Sequence, residues 1–179
     1  NFYRRVFDCM DTLKRSFGEK SVIAVSITSS PIVNGDFCNA NYESFALSLD
    51  ELASWDWGYT KVVIEHCDTF NKKNTFPKKG FLSIDEEIKT LEFINDKCDT
   101  EFGIVINWGR SVIECRDVYG PIEHIKLATS KNLLSGLMFS GTTDKNNNLY
   151  GSWSDMHMPP ATFSGFKYFE SESLMNYES

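Results

Sequence analysis

Apolar positions along the 179 residues fall into alternating helical and strand-like stretches. In "NFYRRVFDCMDTLKRSF" they recur at Phe2, Val6, Phe7, Met10, Leu13 and Phe17, a spacing that predicts an amphipathic helix. Gly18 then stops it. "SVIAVSITSS" reads as a short β-branched strand, closed by Pro31 and a loop with Asn34, Gly35 and Asp36. In "NYESFALSLDELASW", Phe45, Leu49 and Leu52 share one helical face.

This unit of strand, loop and helix recurs. "KVVIEH" predicts a strand, a Lys- and Asn-rich loop runs to Gly80, and "SIDEEIKTLEFINDKC" predicts a helix with a capping box at Ser83 and Glu86. "FGIVINW" and "YGPIEHIKLATSKN" repeat the pattern, with Pro121 suited to a first helical turn. "LLSGLMFSG" supplies a fourth strand. Short apolar strands separated by amphipathic helices predict an α/β fold with a helix-covered parallel sheet.

Such a sheet is either open and doubly wound or closed as a (β/α)8 TIM barrel. No strand is followed by G-x-G-x-x-G or G-x-x-x-x-G-K-[ST], so the open, nucleotide-binding form has no phosphate-loop support. Polar residues instead follow each strand: Ser29 and Ser30; Glu65, His66 and Asp68; Asn107, Arg110 and Ser111; Ser140, Thr142 and Thr143. In a barrel those strand ends form the active-site face. Four strands cannot close a barrel that needs eight and takes about 250 residues. The chain therefore reads as a single domain, 1–179, that is part of a longer barrel, and a first residue in mid-helix without methionine agrees. A missing half or a second copy in a homo-oligomer would complete it.

Composition narrows the partners. A 41% hydrophobic and 24% charged chain is that of an ordinary globular domain, and its net charge of −7 argues against nucleic acid or an anionic membrane as main partner. No stretch approaches the roughly 18 uninterrupted apolar residues of a membrane span, and no signal peptide is legible, so the expectation is a cytoplasmic protein. The five cysteines, Cys9, Cys38, Cys67, Cys98 and Cys115, form no C-x-x-C pair and suggest neither a disulfide framework nor structural zinc. They read as reduced and mostly buried.

Three places could carry chemistry. Glu65, His66 and Asp68 either cap a strand end by hydrogen bonding or project carboxylate and imidazole into a pocket that ligates a divalent metal or transfers protons. Glu65 and His66 are adjacent, so on an ideal strand only one faces the barrel axis. In "INWGRSVIECR", Asn107 shares the strand-end layer, Trp108 can stack on a sugar ring, Gly109 permits a sharp turn and Arg110 offers a planar fork for an anion. The bland alternative pairs Arg110 with Glu114 in a loop. The third is the long polar loop "MFSGTTDKNNNLYGSWSDMHMPP", with Asp155 and His157 two apart. Of the three histidines, His124 falls inside a helix and reads as structural.

The blocks "SLDELASWDWGYTKVVIEHCDTF", "KGFLSIDEEI", "GIVINWGRSVIECRD", "PIEHIKLA", "LLSGLMFSG" and "YGSWSDMHMPP" resemble, in order and spacing, a bacterial family known as domain of unknown function 4862. That family belongs with the xylose-isomerase-like TIM barrels, and the resemblance runs from about Ser21 to Pro160. It implies a longer barrel and a sugar isomerase or epimerase acting on a small carbohydrate or polyol. It also implies one or more divalent ions (Mg, Mn or Zn) held by Glu, Asp and His at strand ends. On that basis Glu65 is the metal-binding glutamate or the base, with Asp155 and His157 as further metal ligands. His66 and His157 join Glu65 as catalytic candidates. Asp68, Asn107, Trp108, Arg110, Ser140 and Trp153 are the substrate-binding candidates. Asn107 stands where relatives often carry a metal-binding Asp, and "LMFSG" lacks a histidine that relatives often place there. A barrel that binds carbohydrate or a partner without catalysis is the alternative.

Overall fold

The computed structural model describes residues 2–29, 41–75, 79–146, 149–162, 167–176 and 179. Ser30, Pro31, the expected loop with Asn34, Gly35 and Asp36, and Cys38 lie outside the described residues. Among the described residues five helices and four strands follow in the order α1 (Phe2–Phe17), β1 (Ala24–Ile27), α2 (Tyr42–Ala53), β2 (Lys61–His66), α3 (Ile84–Asn95), β3 (Phe102–Asn107), α4 (Trp108–Cys115), α5 (Gly120–Ser130) and β4 (Leu134–Met138).

Local chemistry explains the boundaries. Gly18, at φ +99°, turns the chain out of α1 while its N–H still donates to Lys14 O at 2.8 Å, a left-handed C-terminal stop that glycine adopts at little cost. The Asn41 side chain caps α2 by accepting from Ser44 N at 2.8 Å. The capping box at Ser83 and Glu86 forms on α3 as expected, and Pro121 sits in the first turn of α5.

The strands form one parallel sheet in the order β1-β2-β3-β4. Registers include Val25↔Val62, Ile64↔Ile104 and Ile106↔Leu137, with one irregularity between Ile104 and Val105. Alternate residues face opposite sides of the sheet. Val25, Ile27, Val62, Ile64, Phe102, Ile104 and Ile106 join Met10 of α1, Phe45 and Leu49 of α2, Ile88 and Leu91 of α3 and Ala128 of α5 in one buried cluster. The helices therefore cover that face, while Val63, Glu65, Val105 and Asn107 point to the other. A doubly wound sheet reverses its strand order and carries helices on both faces; sequential order with one covered face is consistent with a partial TIM-like barrel. Among the described residues, no helix is long and apolar enough to cross a membrane. Cys9, Cys67, Cys98 and Cys115 are free thiols; Cys67 is buried, Cys98 and Cys115 are half-buried, and Cys9 is exposed.

One element corrects the sequence expectation. Residues after Asn107, read as a turn at Gly109 followed by a loop, form the helix α4 directly at the end of β3. Gly109 lies inside that helix, and its role is close packing. A Cβ there would come within 2.2 Å of the Ser140 carbonyl oxygen. The glycine thus lets α4 lie against the chain that leaves β4. Gly109→Ala is expected to destabilise the protein by about 1–3 kcal/mol, the usual cost of overpacking, as a lower urea midpoint at unchanged slope.

Candidate functional site

The end of β2 divides the site in two. Glu65 and His66, consecutive on the strand, leave the sheet on opposite faces. The expectation of carboxylate and imidazole in one shared pocket is therefore corrected: each belongs to a separate network.

On the face that is helix-free among the described residues, a chain of polar contacts runs across the strand ends. Ser140 Oγ donates to Asn107 Oδ1 at 2.8 Å, and Asn107 Nδ2 donates to Glu65 Oε1 at 3.2 Å. Arg110, carried by the first turn of α4, places Nη1 2.8 Å from the same Glu65 oxygen and Nε 3.2 Å from Asp155 Oδ2. Lys79 Nζ reaches Asp155 Oδ2 at 3.3 Å, and His157 Nε2 lies 3.7 Å from Asp155 Oδ1. The side chains of Glu65, Arg110 and Asp155 are 13%, 8% and 9% exposed, so these pairs are screened far less than surface ones, whereas His157 at 63% stands at the rim. Arg110 also donates to Cys67 Sγ. Burial pushes the Cys67 thiol up to about 12 against the opposing pull of Arg110 and Lys79, so it is neutral and unreactive.

Six expected residues, Glu65, Asn107, Arg110, Ser140, Asp155 and His157, therefore fall into one connected network. The guanidinium of Arg110 lies between Glu65 and Asp155, the position a metal ion would take in the expected Glu65, Asp155 and His157 ligand set. The alternative pairing of Arg110 with Glu114 does not form.

Three expected residues, Asp68, Trp108 and Trp153, stand elsewhere. Asp68 is buried, and its charge acts on the guanidinium of Arg116, whose Cζ sits 5.0 Å from the centre of the Trp153 ring. Trp108 opens α4 and is 6% exposed.

The second network lies on the helix side. His66 is fully buried, with Nδ1 2.8 Å from Glu87 Oε2 on α3 and Nε2 3.0 Å from Glu114 Oε2 on α4. Ser29 Oγ donates to Glu87 Oε1 at 2.6 Å, and Thr69 N donates to Glu114 Oε2 at 3.2 Å. Burial alone would strip the proton from His66, but Glu87 and Glu114 outweigh it and raise the ring from 6.5 to about 10. His124 on α5 packs edge-on against it, ring centres 5.0 Å apart. Burial and the neighbouring His66 charge drop His124 to about 4, leaving it neutral. Its Nδ1 meets Ser111 Oγ at 3.0 Å. Among the described residues, His66, Glu114 and His124 form a group with ligand atoms within 4.8 Å of one another that could hold a metal ion.

The sequence pattern does not single out Glu87 or Glu114 as site residues, and it favours a structural role for His124. A signal existed for Glu87: it falls on the buried face of α3 between Ile84, Ile88 and Leu91, where an acid needs a partner. No such signal marked Glu114, because its helix was not foreseen.

A parallel α/β arc with polar strand ends is thus the class of protein. The chain belongs to the family described as domain of unknown function (DUF4862), whose profile matches residues 1–179. It is also similar to an uncharacterized protein of Salmonella typhimurium, 35% identical over 162 residues, which are 90% of this chain and 48% of that protein. The chain therefore spans about half the length of the curated relative it matches. No solved structure matches it.

Removing His66 would leave two buried carboxylates with no cation between them. His66→Leu is expected to cost about 3–5 kcal/mol in urea unfolding. The double variant His66→Leu, Glu87→Gln should be less destabilised than the single one; a double variant at least as unstable would show that the charges do not interact through the ring.

Proposed function

We propose that the protein is a xylose-isomerase-like barrel that acts on a small carbohydrate or polyol at the Glu65 network, as a sugar isomerase or epimerase. The observation that carries this reading is the Glu65 carboxylate, delivered by a strand end to the helix-free face and flanked there by Arg110 and Asn107. A carboxylate so placed can take a proton from the carbon next to a substrate carbonyl, while the electron pair moves onto the carbonyl oxygen. Arg110 is positioned to stabilise that oxyanion; in isomerisation the adjacent hydroxyl then passes its proton to the oxyanion and the former carbonyl carbon takes up the abstracted proton, whereas in epimerisation a proton returns to the opposite face of the same carbon. Asn107 and Ser140 supply the donors and acceptors that sugar hydroxyls need. His157, exposed beside Asp155, is the second proton carrier.

The expected Mg, Mn or Zn ion does not fit between Glu65 and Asp155 as these residues stand, because the Arg110 guanidinium already occupies the space between the two carboxylates and Lys79 pairs with Asp155 as well. A divalent charge beside Arg110 would be repelled. Proton transfer here is therefore assigned to side chains alone.

The other expectations follow the same reading. The partner is a small molecule, not nucleic acid or a membrane, in keeping with the net charge of −7, and the location is cytoplasmic. The remaining strands come from the other half of a longer chain, in keeping with the length of the Salmonella protein, or from a second copy. A carbohydrate-binding protein without catalysis is the second reading, favoured by the same Arg110, which ties up the base in an ion pair.

A panel of aldoses, ketoses and polyols tested with the full-length protein for turnover and for calorimetric binding separates these readings. Glu65→Gln should lower turnover by about 10²–10⁴-fold while sugar affinity is retained. Binding with no turnover in the wild type selects the second reading; neither binding nor turnover defeats both.

A further inference from the structure

The helix-side cluster is oriented as a ligand set. Each of its two histidines spends Nδ1 on a fixed partner, His66 on Glu87 Oε2 at 2.8 Å and His124 on Ser111 Oγ at 3.0 Å. Each then presents Nε2 to the Glu114 carboxylate, at 3.0 Å from Oε2 and 4.0 Å from Oε1 respectively. Metal-bound histidines show this pattern, in which an outer carboxylate or hydroxyl fixes the tautomer and aims the other nitrogen. Cys115 Sγ lies 3.7 Å from His124 Nε2.

Distance and charge point the same way. Bonds of about 2.0–2.2 Å in a tetrahedral set place neighbouring ligand atoms roughly 3.3–3.5 Å apart. The three ligand atoms here already lie within 4.8 Å of one another, so small side-chain shifts would close the shell. Glu87 and Glu114 bring two negative charges into a site where His66 is fully buried and Glu114 and His124 are 5% and 8% exposed. A divalent cation would balance both. Two imidazole nitrogens favour zinc-like ions over magnesium.

We infer that His66, Glu114 and His124 bind one zinc-like divalent ion, with Glu87 and Ser111 as positioning residues. The ion would tie β2 to α4 and α5 beneath the sheet, and it is separate from the Glu65 network and does not depend on the function proposed there.

The test uses the full chain, stripped with chelator and reloaded with Zn²⁺ or Co²⁺. Mass spectrometric metal analysis should find one ion per chain, and Co²⁺ should give the strong visible absorption of a four-coordinate site. Ser111→Ala should weaken binding by about 10–100-fold, as loss of an outer partner does, and His124→Gln should weaken it further. Glu65→Gln should leave binding unchanged. Uptake well below one ion per wild-type chain overturns the inference whether or not any variant folds. So does unaltered affinity in a folded Ser111→Ala protein, or uptake that is lost with Glu65→Gln and kept with His124→Gln.

Discussion

A protonated imidazole held between two buried carboxylates is the interaction on which the docking of helices onto this sheet turns. Burying three ionisable groups together is costly, and it is tolerated because each has a partner within hydrogen-bond distance: His66 bonds Glu87 at 2.8 Å and Glu114 at 3.0 Å. The three sit on β2, α3 and α4. The bonds are directional, so they set where the helices lie along the sheet, which apolar contact between Ile88, Leu91 and the strands would leave loosely specified. His124 stays neutral beside this charge because a second buried imidazolium would find too little compensation.

The helix-free face solves a similar problem with arginine. Two carboxylates, Glu65 and Asp155, converge at the end of the sheet, and Arg110 separates them with Nη1 on one and Nε on the other. A guanidinium suits this place because its donors lie in one plane and it keeps its charge in a buried setting. The residue that makes the network compact is thus the one that supplies its positive charge, and Lys79 and His157 at the rim add donors on the Asp155 side.

The fold was largely legible because its signals are local. Periodic apolar residues marked α1, α2, α3 and α5, and Gly18, Ser83 with Glu86 and Pro121 marked their ends. The helix α4 escaped because it follows β3 with no intervening loop and holds a glycine at its second position, which reads as a turn until its contact with Ser140 is known. The Glu65 side could be reached by strand parity and by the clustering of polar residues after strands. The His66 side could not. Its members, Ser29, His66, Glu87, Glu114 and His124, come from five separate segments, and only the sheet order and the helix docking bring them together.

The short helix α4 has a consequence of its own. Arg110 and Glu114, one turn apart on it, serve different sides of the sheet: Arg110 grips Glu65, and Glu114 grips His66. One segment of eight residues thus carries the anchor of each network. The sheet separates the two networks in space, and α4 is the element they share.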